Sequence, residues 1–158
     1  MKQHLLPAPH PLYQLSVTDE ILSWNIEMKV EASYLSTRNL PSTLSLVTEY
    51  IPSILHCDCF NEDNRPFEEE VAQTELGHLF EHILLEYLCI AKLEKGYDSA
   101  EFSGNTSWNW KKEPRGSFHI TISKEQRDSL YFNQAFAQSV GLLNKILATA
   151  SIPPRMIN

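Results

Sequence analysis

The sequence has few glycines and cysteines, no excess of basic residues and no long apolar run. Five glycines and nine prolines among 158 residues are too few for a fibrous or low-complexity protein. The three cysteines form an odd set, which we interpret as thiols of a reducing compartment rather than as a disulfide framework. Thirteen Lys and Arg against twenty Asp and Glu give a formal charge of −7, which argues against a nucleic-acid partner.

Targeting signals are missing as well. Residues 1–14 contain no apolar core of a secretory signal, and no apolar run is long enough to span a membrane. We therefore expect a cytoplasmic protein with no membrane partner.

Hydrophobic patterning predicts one α+β domain, residues 1–158, since 42% of the chain is hydrophobic. Apolar and polar residues alternate over residues 24–34, as in a half-buried strand. A long central helix is predicted over about 74–95, with Thr74 as its N-cap and Gly96 as its stop. The remaining predicted elements are a helix over 42–50, strands over 105–110 and around 118–122, and a last helix over 123–150. We expect a small, mainly antiparallel sheet covered by helices, whose edge strands are compatible with a homodimer.

The predicted central helix carries the residues of chemical interest. His78 and His82 are one turn apart, and Glu81 lies beside them. Most other directions around this helix are apolar, which indicates that the helix is buried. Burying two imidazoles and a carboxylate without polar partners destabilises the folded chain. A bound divalent cation offsets that cost.

The pattern His-x-x-Glu-His is the inverted form of the zinc-hydrolase helix. It predicts His78 and His82 as zinc ligands and Glu81 as the general base of a hydrolase. A hydrogen-bonded His pair without metal is the competing interpretation of the same spacing. A zinc site needs a third protein ligand, for which we favour Cys59. The other candidates are Cys57, His56, His119 and the run Glu68-Glu69-Glu70.

The stretch T-E-L-G-H-L-F-E-H-I-L-L-E, residues 74–86, resembles a family signature. It is similar to the signature of the N-terminal domain of cyanophycin synthetase, approximately T-W-L-G-H-(V/I)-(V/I)-E-H-V-A-L-E. Residues 51–59 resemble the family's L-P-G-L-x-E-H-x-C, with Cys59 on the family cysteine, and residues 114–118 resemble its P-G-V-Y turn. The chain departs from the pattern at His56, Cys57 and Glu75, where the family has Glu, His and Trp.

The resemblance implies a free-standing relative of that domain, without the synthetase's ATP-dependent modules. In some of these synthetases the domain is thought to bind the Asp/Arg polymer and to cut it at a metallopeptidase-like site on the His-x-x-Glu-His helix. By position, His78 and His82 would be the metal ligands, Glu81 the general base and Cys59 a matched partner.

Two functions are therefore expected to compete. The first is a zinc-dependent hydrolase of amide or isopeptide bonds, acting on a peptide-like substrate or an Asp/Arg polymer. The second is a non-catalytic binding or assembly module, in which His78, Glu81 and His82 form a structural metal site or a hydrogen-bonded network. In the second case, Trp108 and Trp110 are either core residues or contacts for a partner.

Overall fold

A five-stranded antiparallel sheet forms one layer of the fold. The computed structural model describes residues 4–5, 7, 9–56 and 66–150. The strands are β1 (His4–Leu5), β2 (Tyr13–Asp19), β3 (Ser23–Val30), β4 (Ser103–Ser107) and β5 (Ser117–Ser123). Their order across the sheet is β1-β2-β3-β5-β4, so that β4 lies at an edge.

In the part of the chain that the structure describes, four α-helices supply the second layer. They are α1 (Thr43–Tyr50), α2 (Phe67–Glu70), α3 (Leu76–Glu94) and α4 (Ser129–Ala148). Helix α3 packs against α4 and also contacts β4 and β5. Helix α4 lies beside it on the same sheet face, since Phe132 stacks on Trp24 of β3. Contacts with both the sheet and α4 explain why apolar residues surround α3 on most sides.

The core lies on one face of the sheet. Alternate strand residues are buried there, and the cross-strand register aligns them in rows such as Leu15–Met28–Phe118. The intervening residues, such as Asn25 and Thr121, are polar and face away from the helices. This alternation is what the period of two in the sequence predicts for a sheet covered on one side.

The predicted α+β class is confirmed, and several predicted boundaries are corrected. The strand predicted over 24–34 ends at Val30, because residues 32–34 form a 3-10 turn. The strand predicted over 105–110 lies at Ser103–Ser107, so Trp108 and Trp110 follow the strand instead of lying within it. The last helix begins at Ser129 rather than at residue 123, after a turn closed by a capping box between Glu125 and Asp128. Strand β2 was not predicted.

The predicted central helix is present, but its first residue differs. Helix α3 begins at Leu76 with Glu75 in the N-cap position, so Thr74 is not its cap. None of the helices in the described ranges is long and apolar enough to cross a membrane.

Candidate active site

Close packing of α3 on the sheet determines which way its polar residues face. A Cβ on Gly77 would lie 2.4 Å from Cγ of Phe118, on β5. Only glycine permits the helix to approach the strand this closely. The neighbouring residues His78 and Glu81 then line a cleft between α3 and the edge strand β4.

The two histidines meet at their ring nitrogens. Nε2 of His78 and Nε2 of His82 are 3.0 Å apart, and the two rings are nearly perpendicular. Two imidazole nitrogens on one tetrahedral zinc ion would be about 3.3 Å apart, given ordinary zinc–nitrogen bond lengths. The predicted pairing of these side chains is therefore present, at a separation close to that of two zinc ligands.

Two other residues hold the imidazoles in place. The hydroxyl of Thr74 lies 2.7 Å from Nδ1 of His78. When Nδ1 carries the proton and donates it to Thr74, the Nε2 lone pair of His78 points toward His82. Phe67, fully buried at the start of α2, stacks on the ring of His82 with centroids 4.1 Å apart and meets His78 edge-on.

Burial keeps both histidines neutral. Desolvation, together with a smaller effect of the nearby His78, lowers the pKa of His82 to about 3. Desolvation also lowers the pKa of His78, although the carboxylates of Glu70 and Glu75 act in the opposite direction. A neutral imidazole is the form that binds a metal ion.

Glu81 is buried beside the histidines and is bound to the edge strand. Its side chain is 5% exposed in the folded chain, and Oε1 accepts a hydrogen bond of 2.6 Å from the hydroxyl of Thr106 on β4. A Cβ on Gly104 would lie 3.2 Å from Oε2 of Glu81, so the strand approaches the carboxylate closely. Burial raises the pKa of Glu81, and the hydrogen bond from Thr106 opposes that shift. A raised carboxyl pKa suits a group that accepts and returns a proton near neutral pH.

The cleft around these side chains has a volume of about 800 Å³ and is acidic. Among its described lining residues are five glutamates and no Lys or Arg. The glutamates are Glu70, Glu75, Glu81, Glu86 and Glu101. One carboxylate oxygen of Glu70 is buried and makes no hydrogen bond within the described part of the chain.

The predicted third zinc ligand, Cys59, and the alternative Cys57 lie outside the described residues. Within the described ranges, no three His, Cys, Asp or Glu side chains are close enough together to hold a metal ion. His56 and Glu70 both line the cleft, but neither comes together with His78 and His82 in such a group.

His119 and Cys89 lie too far from His78 and His82 to serve as the third zinc ligand. His119 lies on the sheet face opposite the helices, since its neighbours Phe118 and Ile120 are buried in the core, and its Nε2 is 2.7 Å from Glu113. Cys89 is seven residues beyond His82 on α3, about 10 Å along the helix axis, which is too far to share an ion with the two histidines.

No family model matches this chain. No curated protein matches it significantly either. The resemblance of residues 74–86 to the cyanophycin synthetase domain therefore remains a sequence-based expectation.

Sequence reasoning found the helix residues of the site and missed those that support them. His78, Glu81 and His82 lie together, as their spacing predicts. It did not predict three supporting contacts, which are made by Phe67 with His82, by Thr106 with Glu81 and by Thr74 with His78. The one available signal was the position of Thr74, four residues before His78, which is the spacing of neighbours on a helix face.

Proposed function

We propose that this protein is a zinc-dependent hydrolase of amide bonds, with His78 and His82 as zinc ligands and Glu81 as the general base. The observation that carries the proposal is the convergence of two imidazole nitrogens at 3.0 Å, from the half-buried His78 and the buried His82, beside the buried carboxylate of Glu81. The resemblance of residues 74–86 to a metallopeptidase-like domain supports the same chemistry. We retain Cys59 as the proposed third ligand.

Zinc would polarise the scissile carbonyl and make a water molecule acidic enough to attack it. The chain's own residues perform the remaining tasks. Thr74 and Phe67 fix the two imidazole rings, so the donors need little rearrangement. Glu81 takes a proton from the attacking water and returns it to the leaving amine.

Thr106 and Gly104 position the general base. The hydrogen bond from Thr106 holds Oε1 of Glu81 and favours the ionised carboxylate, which is the form that accepts a proton. The missing side chain at Gly104 leaves room for Oε2 next to the strand. Without these contacts the carboxylate would be free to adopt other rotamers, and proton transfer would be slower.

A second function is favoured by the same distance between the histidines. A separation of 3.0 Å also fits a hydrogen bond in which one Nε2–H donates to the other Nε2. In that case the protein is a non-catalytic binding module, and the His/Glu cluster is a structural network.

The Glu81→Gln variant separates the two functions. The purified chain, loaded with zinc, is incubated with a mixture of unstructured peptides and with an Asp/Arg polymer, and cleavage is followed by mass spectrometry. The hydrolase proposal predicts cleavage by the wild type, and retained zinc with no cleavage for Glu81→Gln. The matched control is Glu94→Gln, which changes an exposed carboxylate on the same helix outside the cleft and should cleave like the wild type. Zinc-loaded wild type that cleaves none of these probes, or a Glu81→Gln variant that cleaves as well as the wild type, contradicts the proposal.

A further inference from the structure

Strand β4 has one paired side and one open side. It pairs with β5 only, and in the described part of the chain no strand pairs with its outer side. Four of its five residues are exposed, and its sequence, Ser-Gly-Asn-Thr-Ser, has neither a charge nor a proline. Natural proteins commonly protect an edge strand with charged residues or proline, because its unpaired backbone groups attract other strands. Strand β4 lacks this protection.

The open side of β4 borders the cleft that holds the candidate active site. Ser103 to Thr106 line this cleft on one side, and His78 and Glu81 line it on the other. The hydrogen bond between Thr106 and Glu81 sets the distance between strand and helix. An extended chain paired with β4 would therefore run past the carboxylate of Glu81.

Charge indicates what kind of chain fits. The described lining of the cleft contains five glutamates and no Lys or Arg, and the whole protein has a formal charge of −7. Trp108, which also lines the cleft, is 39% exposed and offers an aromatic face to a cation. These features favour a ligand with Lys or Arg side chains over a neutral or acidic one.

We infer that β4 binds an extended polypeptide segment rich in Lys or Arg as an added antiparallel or parallel strand. Main-chain hydrogen bonds to β4 supply affinity, and the acidic cleft selects the basic side chains. Five residues of β4 span about 17 Å, so about five residues of the ligand are held. The inference rests on the proposed function only for its consequence, which is that the bound main chain is presented to Glu81; binding itself requires no metal.

Backbone methylation tests the pairing directly. The probes are eight-residue peptides that alternate Lys with Val, because alternate N–H groups of a strand point to the same side. One peptide carries N-methyl groups on the odd residues and another on the even residues. Calorimetric titration of the zinc-free, full-length chain should show binding of the parent peptide, and a loss of at least about tenfold for one methylated register but not for the other. Equal affinity of the two registers, or no binding of the parent peptide, overturns the inference.

Charge selection is tested with the same titration. A peptide that alternates Glu with Val should bind at least about tenfold more weakly than the Lys peptide at low salt. Glu75→Gln and Glu101→Gln should each weaken the Lys peptide by about two- to fivefold and reduce its salt dependence. The control Glu49→Gln, on the exposed side of α1 and outside the cleft, should bind like the wild type. Equal binding of the Lys and Glu peptides contradicts the inference.

The two proposals fail in different ways. If the chain binds no zinc but distinguishes the two methylated registers, the inference of an added strand stands and the hydrolase proposal fails. If the chain cleaves peptides through Glu81 but binds both registers equally, the hydrolase proposal stands and the inference of an added strand fails.

Discussion

The hydroxyl of Thr106 donates a 2.6 Å hydrogen bond to Oε1 of Glu81, joining the edge strand β4 to the helix α3. The two residues are 25 positions apart in the chain and meet only because the sheet register puts Thr106 on the helix-facing side. Glu81 is buried, so this hydrogen bond compensates part of the cost of placing a carboxylate there. The proposed general base is thus held by the same strand that borders the cleft.

Replacement of Thr106 tests this contact. Thr106→Val keeps the shape of the side chain and removes the donor, so the pKa of Glu81 should rise further. Because a general base must be deprotonated, the acidic limb of the pH profile of kcat/KM should move to higher pH, and activity at neutral pH should fall about tenfold or more. Thr106→Ser keeps a hydroxyl and should restore most of the activity. Equal profiles for the Val and Ser variants would show that the hydrogen bond has no role in catalysis.

Gly77 is predicted to be a stability determinant. In Gly77→Ala the added Cβ would overlap the ring of Phe118 at 2.4–2.5 Å, and the helix would have to move away from β5. We expect the free energy of unfolding to fall by about 2 kcal/mol, even though alanine favours helices. Urea denaturation measures the change.

Gly141 provides the matched control for that substitution. It lies in α4, and a Cβ there would meet no other element of the described chain within 4 Å. Gly141→Ala should therefore stabilise the protein by about 0.5–1 kcal/mol. If both variants shift stability in the same direction, close packing at Gly77 is not what requires glycine.

Burial of His82 predicts that the metal-free protein is less stable in mild acid. The pKa of His82 is about 3 in the folded chain against an ordinary value of 6.5, so between these limits the unfolded chain binds more protons. Stability that is present above pH 6.5 is therefore lost as the pH falls, by about 2 kcal/mol between pH 7 and pH 5.

The His82→Gln variant isolates this contribution. Glu81 acts in the opposite direction, because its raised pKa makes the folded chain bind more protons just above pH 4.5. Glu81 is common to both proteins, so its effect largely cancels in the comparison. Denaturation at pH 7 and pH 5 with a chelator present should show a smaller pH-dependent loss for His82→Gln than for the wild type. The same loss in both proteins would contradict the conclusion that burial of His82 causes the loss of stability in mild acid.

The sequence predicts the parts of the site that lie on one helix. The spacing of His78 and His82 determines their meeting, because residues four apart share a helix face whatever the rest of the fold does. Burial of that face follows from the apolar residues around it. The α+β class likewise follows from alternating and helical periods that are local properties of the chain.

Contacts between distant elements escape sequence reasoning. Thr106 reaches Glu81 through the pairing of β4 with β5, and nothing in the sequence around Thr106 specifies that register. The prediction of Thr74 as an N-cap was wrong because the chain stays extended through Glu75, which forms a β-bridge with Ser36, so α3 begins only at Leu76. Strand β2 was a different kind of miss: Tyr13, Leu15 and Val17 alternate with polar residues, so its period was present in the sequence.

Zinc stoichiometry tests the central claim most directly. Equilibrium dialysis of the full chain against zinc, with and without the double change His78→Asn and His82→Asn, measures the ion held by this pair. A His119→Asn control removes a histidine from the opposite side of the sheet. We predict about one zinc ion per chain for the wild type and the His119 variant, and none for the double variant. A wild type that holds no more zinc than the double variant would contradict the account.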